Sequence, residues 1–500
     1  MPVDTVWIDE CLSKRGGHLW IEEIDTVHIA AEYGTPVFVI SENQLRRNVR
    51  RFQKSFQAGW PDGPVKVLPA AKANWITAVQ KILAQEGCGC DIYSEGELAV
   101  ALSAGFAHDL ISVNGVPKAP DHIYRAIKEG CRITIDSMEE VDVIERAARD
   151  LDTTAFVRLR LKPVLSDFVK SSDFAAEGLV PTDLAAIVYK GGLMFEHIRE
   201  IAPRILKMKN VELVGFHQHH GRHNRSTAYW RAQMTAFAHE IGRVSALLGG
   251  YQPREIDIGG GFAIPRDPFN AATDYTEPAQ LAALHTISTA LKAFAPDLRY
   301  KVLAPLVNTI TMRPNKRRAP TIEQYAAACT GTLRQELPNH GIDTKGLMLQ
   351  LEPGRAMHGD TGIHLTRVMA IKRISSPVRW NQVIVDSTEF WFTGGRYEHH
   401  LHDYLFANKV DAAFEDKADI NGRSCYGDRL MPTVPIPSDV APGDLFAMLD
   451  TAAYQEVSMS QFNAMPRPGT LLVTGDVASV IREAEKQEIV FQRDRLPEHL

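Results

Sequence analysis

Short runs of aliphatic and β-branched residues recur along the chain, separated by stretches long enough for a helix. The runs are VKVLPAA (65–71), CDIYS (90–94), LISVNG (110–115), RITIDS (132–137), AFVRLRL (155–161), VELVGFH (211–217), EIDIGGG (255–261) and LMLQLEPG (347–354). Each predicts a strand. Between the first two, ITAVQKILAQEG is apolar at helical spacing and closes on a glycine; ELAVALSAGF and DHIYRAIKEG repeat the pattern. Eight strands alternating with helices predict an α/β fold, a closed parallel (β/α)8 TIM-like barrel. The segment 263–325, rich in Pro, Asn, Asp and Arg, reads as an insertion. Beyond residue 365 helical patterns become scarce, and HLTRVMAIKRI, NQVIVDS, DLFAMLD and GTLLVTG predict a C-terminal β-rich domain.

Composition narrows the function class. The chain of 500 residues is 45% hydrophobic and 23% charged, with a net charge of −6. That balance is ordinary for a globular protein and argues against nucleic acid or an anionic membrane as partner. No long uncharged apolar run predicts a transmembrane helix, and MPVDTVWIDECLSK lacks the apolar core of a signal peptide. Six cysteines (11, 88, 90, 131, 329, 425) do not make a disulfide framework, and CGC at 88–90 is too small for a structural zinc site. A reducing cytoplasm is the expected compartment.

In a parallel barrel the chemistry sits at the C-terminal ends of the strands. Here those ends read Lys72, Asp91, Asn114, Asp136, Arg160, His219, the triplet Gly259, Gly260 and Gly261, and Glu352 with Arg355. A lysine amine can be a solvated strand terminus or a nucleophile that forms a Schiff base with a carbonyl. Three glycines after strand seven can be a tight turn or a backbone cradle for phosphate. Glu352 can cap a loop or hold a proton on a heterocyclic nitrogen. HQHHGRH (217–223) keeps a metal-dependent hydrolase open, because His217 and His219 share one face as HxH ligands do. Cys425, within NGRSCYGDRL, is either an inert thiol or a reactive one, and the Tyr454 hydroxyl is either core or a phosphate contact.

Together AAKAN, GCGCDIYSEGEL, VNGVPK, ITIDSMEE, IDIGGGF and LEPGR occur in the order seen in a known family. From YGTPVFVISENQLRRNVRRF (33–52) to SMSQFNAMPRPGTLLV (458–473) the chain resembles the fold-type III decarboxylases dependent on pyridoxal 5'-phosphate. That group contains the diaminopimelate, ornithine, lysine and arginine decarboxylases. The resemblance implies an alanine-racemase-like barrel over 45–365, a β-rich domain from 1–44 and 366–500 that completes the active site, a Schiff base on Lys72, and Glu352 against the pyridine nitrogen. It implies His219 stacked on the ring, Arg160 near its 3-hydroxyl, and Gly259, Gly260, Gly261, Arg355 and Tyr454 at the phosphate. It also implies a head-to-tail homodimer with shared sites, in which Cys425 enters from the partner and protonates the α-carbon. The expected reaction is α-decarboxylation of an amino acid, with no metal.

Three departures bear on the substrate. Arg222 stands where the family often has a serine, Tyr426 follows Cys425 where diaminopimelate enzymes carry an acid with Asp428 one residue early, and the usual SKFG-like run is replaced by IVYKGG (187–192). Tyr426, Asp428 and Arg396, the last in GGRYEHHLHDY, are the candidate substrate contacts. A racemase of the same fold is the nearest rival. Such enzymes usually place arginine against the pyridine nitrogen, so Glu352 favours decarboxylation. A catalytically silent regulator is the non-enzymatic rival, opposed by the presence of both Lys72 and Cys425.

Overall fold

The computed structural model describes residues 9–163, 190–219, 225–264, 277–295, 298, 301–302, 319–392 and 402–500. They form two compact units: the described residues of 46–265 with 317–357, and those of 1–45, 266–316 and 358–500.

The first unit holds eight parallel strands: β1 (Val65–Val67), β2 (Cys90–Ile92), β3 (Ile111–Val113), β4 (Arg132–Ile135), β5 (Ala155–Arg160), β6 (Val211–His217), β7 (Glu255–Asp257) and β8 (Met348–Leu351). Their order is β1-β8-β7-β6-β5-β4-β3-β2. The two ends meet through the Gly89 amide donating to the Val67 carbonyl at 2.9 Å and the Asp91 amide to the Pro69 carbonyl at 3.2 Å, so the sheet closes into a barrel. All eight predicted strands are present, β6 with the bounds of its run and the other seven shorter than theirs. The difference matters at β1, which ends at Val67; the following residues instead form one 3-10 turn, Ala71–Ala73, that carries Lys72.

Helices surround the strands where the apolar spacing placed them: Thr77–Gln85, Glu95–Ala104 and Pro120–Lys128. Ser94 Oγ caps the second by accepting from the Glu97 amide, and Gly105 ends it at φ 82°. On β5, Val157 and Leu159 are fully buried between the inward-facing arginines, and Val214 and Phe216 on β6 are buried likewise. Those apolar positions form the seal between sheet and helices. The inward face is different. Barrel interiors are normally filled by Val, Ile and Leu; here Ser112, Arg158, Glu255, Asp257 and Gln350 are all buried polar residues bonded or ion-paired to one another.

In the second unit the buried strand Val37–Ser41 lies between Gly362–Ile374, antiparallel, and Gly469–Thr474, parallel. The sheet continues through Trp380–Val385, Asp416–Asn421 and Arg429–Ile436 on one side and Val477–Arg482 on the other. Leu445–Met448 also pairs with Gly362–Ile374 and carries Tyr404–Phe406. The β-rich fold is therefore built from both ends of the chain. Of the segment predicted as an insertion, the described helix Glu277–Phe294 groups with this unit.

Candidate active site

At the C-terminal ends of the barrel strands a cleft is lined by Lys72, Asp91, Asn114, Arg160, His219 and Glu352, all read from the strand ends. Tyr93, Glu97 and His217 complete the lining. The turn that presents Lys72 is fixed by Asn74. Its carbonyl accepts from Gln80 Nε2 at 2.6 Å and its Oδ1 from the Ile76 amide at 3.2 Å, which starts the next helix. Lys72 is thus an exposed amine held on a short, buried-flanked turn.

Glu352 is buried at the end of β8. Asn114 Nδ2 donates to Glu352 Oε1 at 2.5 Å and to Asp91 Oδ1 at 2.7 Å, so one amide bridges two carboxylates. His217 Nε2 lies 3.3 Å from Glu352 Oε2. Burial, reinforced by the Asp91 charge and opposed by Arg158, Lys72 and Arg160, pushes the Glu352 carboxyl up to about 8. Burial, with the Glu352 charge, pushes Asp257 up to about 7, against the pull of Arg158. Burial lowers His217 to about 3, so its imidazole is neutral. Arg160 Nη1 donates to Asp136 Oδ2 at 2.8 Å, and Asp136 Oδ1 accepts the Gly192 amide at 2.5 Å.

The glycine triplet follows β7. Gly259 has φ 70°, and a Cβ there would stand 2.4 Å from the Gln218 carbonyl oxygen. A Cβ on Gly260 would stand 2.2 Å from the Glu352 carbonyl oxygen, and Gly261 has φ 103°. Only glycine lets the backbone pass this close to the β6 and β8 ends. The Gly260 amide donates to His219 Nδ1 at 3.1 Å, which orients that ring. Arg355 is buried at the start of the short helix Arg355–His358.

A buried acid, an exposed lysine, an oriented imidazole and a glycine cradle on one cleft fit pyridoxal phosphate: covalent anchor, ring-nitrogen partner, stacking face and phosphate loop. The metal reading of HQHHGRH fares differently. Ligating atoms of His217, Asp257 and Glu352 lie within 4.8 Å of one another. However, Asp257 already has its cation, Arg158 Nη1 at 2.8 Å, and His219 turns its Nδ1 to the Gly260 amide.

The remaining predicted residues belong to the second unit. Cys425 is the exposed cysteine; the other five are buried. Its amide donates to Asn463 Oδ1 at 2.9 Å, and Asn463 Nδ2 donates to Cys425 Sγ at 3.1 Å. Tyr426 is 53% exposed beside Phe390, which stacks on Phe462 at 4.1 Å. Asp428 is buried, with a left-handed backbone at φ 44°. It accepts from the Glu389 and Ser424 amides, each at 2.6 Å, and from Thr388 Oγ1 at 3.2 Å. The carboxylate is thereby committed to the shape of its own loop, not to an outward contact. Tyr454 is half-buried at φ 67°. Arg396 and Arg222 lie outside the described residues, as do residues 187–189 of IVYKGG.

Asp257 and Arg158 were not singled out from sequence, although each stands two residues before a predicted site position on the same strand face, Gly259 and Arg160.

Residues 42–304 match the family model described as pyridoxal-dependent decarboxylase, pyridoxal binding domain. The chain is similar to the diaminopimelate decarboxylase of Archaeoglobus fulgidus, 29% identical over 98% of this chain and 99% of the relative. That of Methanothermobacter thermautotrophicus is 28% identical over 97% of each. The fold is similar to that of M. jannaschii diaminopimelate decarboxylase in complex with L-lysine, with a TM-score of 0.80 at 22% identity over 98% and 99% of the two chains. It is also similar to that of Vibrio vulnificus lysine/ornithine decarboxylase with putrescine, with a TM-score of 0.65 at 16% identity over 90% and 97%. The chain belongs to the pyridoxal-dependent decarboxylases and is a carboxy-lyase that uses pyridoxal phosphate to decarboxylate an amino acid.

Proposed function

We propose that the enzyme decarboxylates a diamino acid of the diaminopimelate type, releasing CO2 and an amino acid of the lysine type. What carries this reading is likeness to diaminopimelate decarboxylases along almost the whole of both chains, joined to a cleft lined by Lys72 and the buried acid Glu352. When bound, the cofactor supplies an electron sink for the pair left on Cα as CO2 departs. Lys72 would hold the cofactor through its amine. Glu352, fixed by Asn114, would keep a proton at the ring nitrogen. His219, fixed by the Gly260 amide, would cover the ring face, and Arg160 would address its 3-hydroxyl. Gly259, Gly260, Gly261, Arg355 and Tyr454 would take the phosphate.

Cys425 Sγ, pinned by Asn463, would deliver a proton to Cα. It would do so from a partner subunit, in a head-to-tail homodimer. The exposed aromatic group of Tyr426 and Phe462 beside Cys425 supports a face that another chain covers. Tyr426, and Arg396 outside the described residues, remain the proposed substrate contacts. The cytoplasm is the proposed compartment. Five buried cysteines that form no disulfide support it, and among the described residues no helix is long and apolar enough to cross a membrane.

The Cys425 loop favours a second reading within the same chemistry. Tyr426 occupies the position after the cysteine, and Asp428 is used internally. A substrate whose distal end differs from that of diaminopimelate, such as a specialised biosynthetic intermediate, suits that loop. The test is product analysis of the loaded enzyme with meso-diaminopimelate, L- and D-lysine, ornithine, arginine and neutral and acidic amino acids. CO2 and lysine from meso-diaminopimelate support the first reading. CO2 from another member of the panel supports the second. Inversion of configuration without CO2 refutes both.

A further inference from the structure

The barrel interior holds a charge that the reaction above does not use. Arg158 is fully buried on β5, one inward step below Arg160. Its Nη1 donates to Asp257 Oδ2 at 2.8 Å and to Gln350 Oε1, its Nη2 donates to Ser112 Oγ, and its Nε lies 3.7 Å from Glu255 Oε1. These partners come from β3, β7 and β8. One guanidinium therefore ties together three strands, each of which carries a site residue just beyond: Asn114, Gly259 and Glu352.

The need for a cation at this place follows from geometry. Asp257 and Glu352 present their oxygens within 4.8 Å of each other and of His217, with Asp257 fully buried and Glu352 buried at the wall of the cleft. Two carboxylates that close compete for one proton unless a positive charge holds one of them. The other groups facing Glu352 do not substitute for it. Lys72 and Arg160 stand at the cleft, where Arg160 is bound to Asp136. Asp91 adds a further negative charge, Asn114 is neutral, and the buried His217 is held neutral. Among the described residues Arg158 is the cation paired with Asp257, at 2.8 Å, while the Gly259 amide donates to Asp257 Oδ1 at 2.9 Å.

We propose that Arg158 is a positioning residue for the decarboxylation: by holding Asp257 as a bound carboxylate it leaves Glu352 as the single acid that addresses the ring nitrogen of pyridoxal phosphate. The proposal rests on the assignment of Glu352 made above. It predicts that the charge of Arg158 and that of Asp257 act on the site with opposite sign and cancel when removed together.

The test compares Arg158→Met, Asp257→Asn, the double variant and Glu352→Gln with the parent. The readouts are the pH profile of the dissociation constant for pyridoxal phosphate and the absorption spectrum of the bound cofactor, with thermal unfolding followed alongside. An opposite charge at hydrogen-bond range moves an acid by roughly 1–3 pH units. Arg158→Met should therefore shift the midpoint upward by about one unit or more. Asp257→Asn should shift it downward, and the double variant should return it to the parent's position. A midpoint unmoved in Arg158→Met, with only thermal stability lost, makes Arg158 a purely structural residue and overturns the proposal. Where Arg158→Met yields no folded protein, Asp257→Asn decides alone: a downward shift supports the proposal and an unchanged midpoint sinks it. Glu352→Gln separates the two levels. If it keeps the parent's transition, the assignment of Glu352 fails and this inference with it. If it loses the transition while the other variants leave theirs unmoved, only the inference about Arg158 fails.

Discussion

Replacing Glu352 by glutamine should make the cofactor-free protein more stable at neutral pH, although it destroys a group the reaction needs. The reason is the acid's environment. Glu352 has an ordinary value of 4.5 and ionises in the folded protein only near 8. Between those two pH values the folded chain holds a proton that the unfolded chain has lost. Stability then falls as pH rises through the window, because it rises with pH only where the unfolded state binds more protons. At about 1.4 kcal/mol per pH unit, the loss between pH 5 and pH 7.5 is on the order of 3 kcal/mol. Below the window the acid is neutral in both states and contributes nothing. Glutamine is neutral throughout and can still accept from Asn114 Nδ2. The difference between variant and parent, measured by urea unfolding of the two apoproteins across this range, should be near zero at the acid end and grow towards pH 8. His217, lowered to about 3, gives the opposite slope at lower pH, and since both proteins carry it the difference removes it. Loading with pyridoxal phosphate should flatten the parent's slope, because a ring-nitrogen proton offsets the carboxylate. Parallel unfolding curves for parent and variant would show that Glu352 is solvated, and the reasoning would fail.

Two further changes test the cradle and the Cys425 loop. Gly260→Ala puts a methyl 2.2 Å from the Glu352 carbonyl oxygen, where the obstacle is backbone and cannot turn aside. Such overpacking costs about 1–3 kcal/mol, so cofactor affinity by equilibrium dialysis should fall roughly tenfold or more; unchanged affinity would place the phosphate elsewhere. Asn463→Ala removes the amide that donates to Cys425 Sγ at 3.1 Å. The same change removes the Oδ1 that accepts the Cys425 amide at 2.9 Å, and loss of a bond worth about 1 kcal/mol should raise hydrogen exchange at that amide about fivefold; an unchanged rate would mean that Asn463 does not hold the Cys425 loop.

Period-two alternation states that a strand has two faces but not which face meets water, and this limit explains what the sequence shows and what it hides. AFVRLRL reads as Val157 and Leu159 on one side and Arg158 and Arg160 on the other, a pattern that in an open sheet would set the arginines in solvent. Closure of eight strands turns that face inward, and Arg158 becomes a fully buried cation. The same closure gathers Ser112, Glu255, Asp257 and Gln350 around it from strands as much as 238 positions apart, which no local pattern contains. The residues at the strand ends were legible because a parallel barrel aims all its C-terminal ends at one place, so Lys72, Asn114, Arg160, His219 and Glu352 share a cleft by topology alone. Lys72 sits on a turn and not on a strand end because Asn74 bonds across to Gln80 and Ile76, side-chain competition that a hydrophobicity pattern does not register. Asp428 shows the converse: a charged residue in a loop reads as exposed, yet two amides and a hydroxyl draw it inside. For Arg158 burial of the charge is decided by partners distant in sequence, and the apolar face of each strand, sealed against the helices, is what leaves the inner face free to be polar. A barrel core of Val, Ile and Leu would be simpler to stabilise, but it would hold no Arg158–Asp257 pair beneath Glu352.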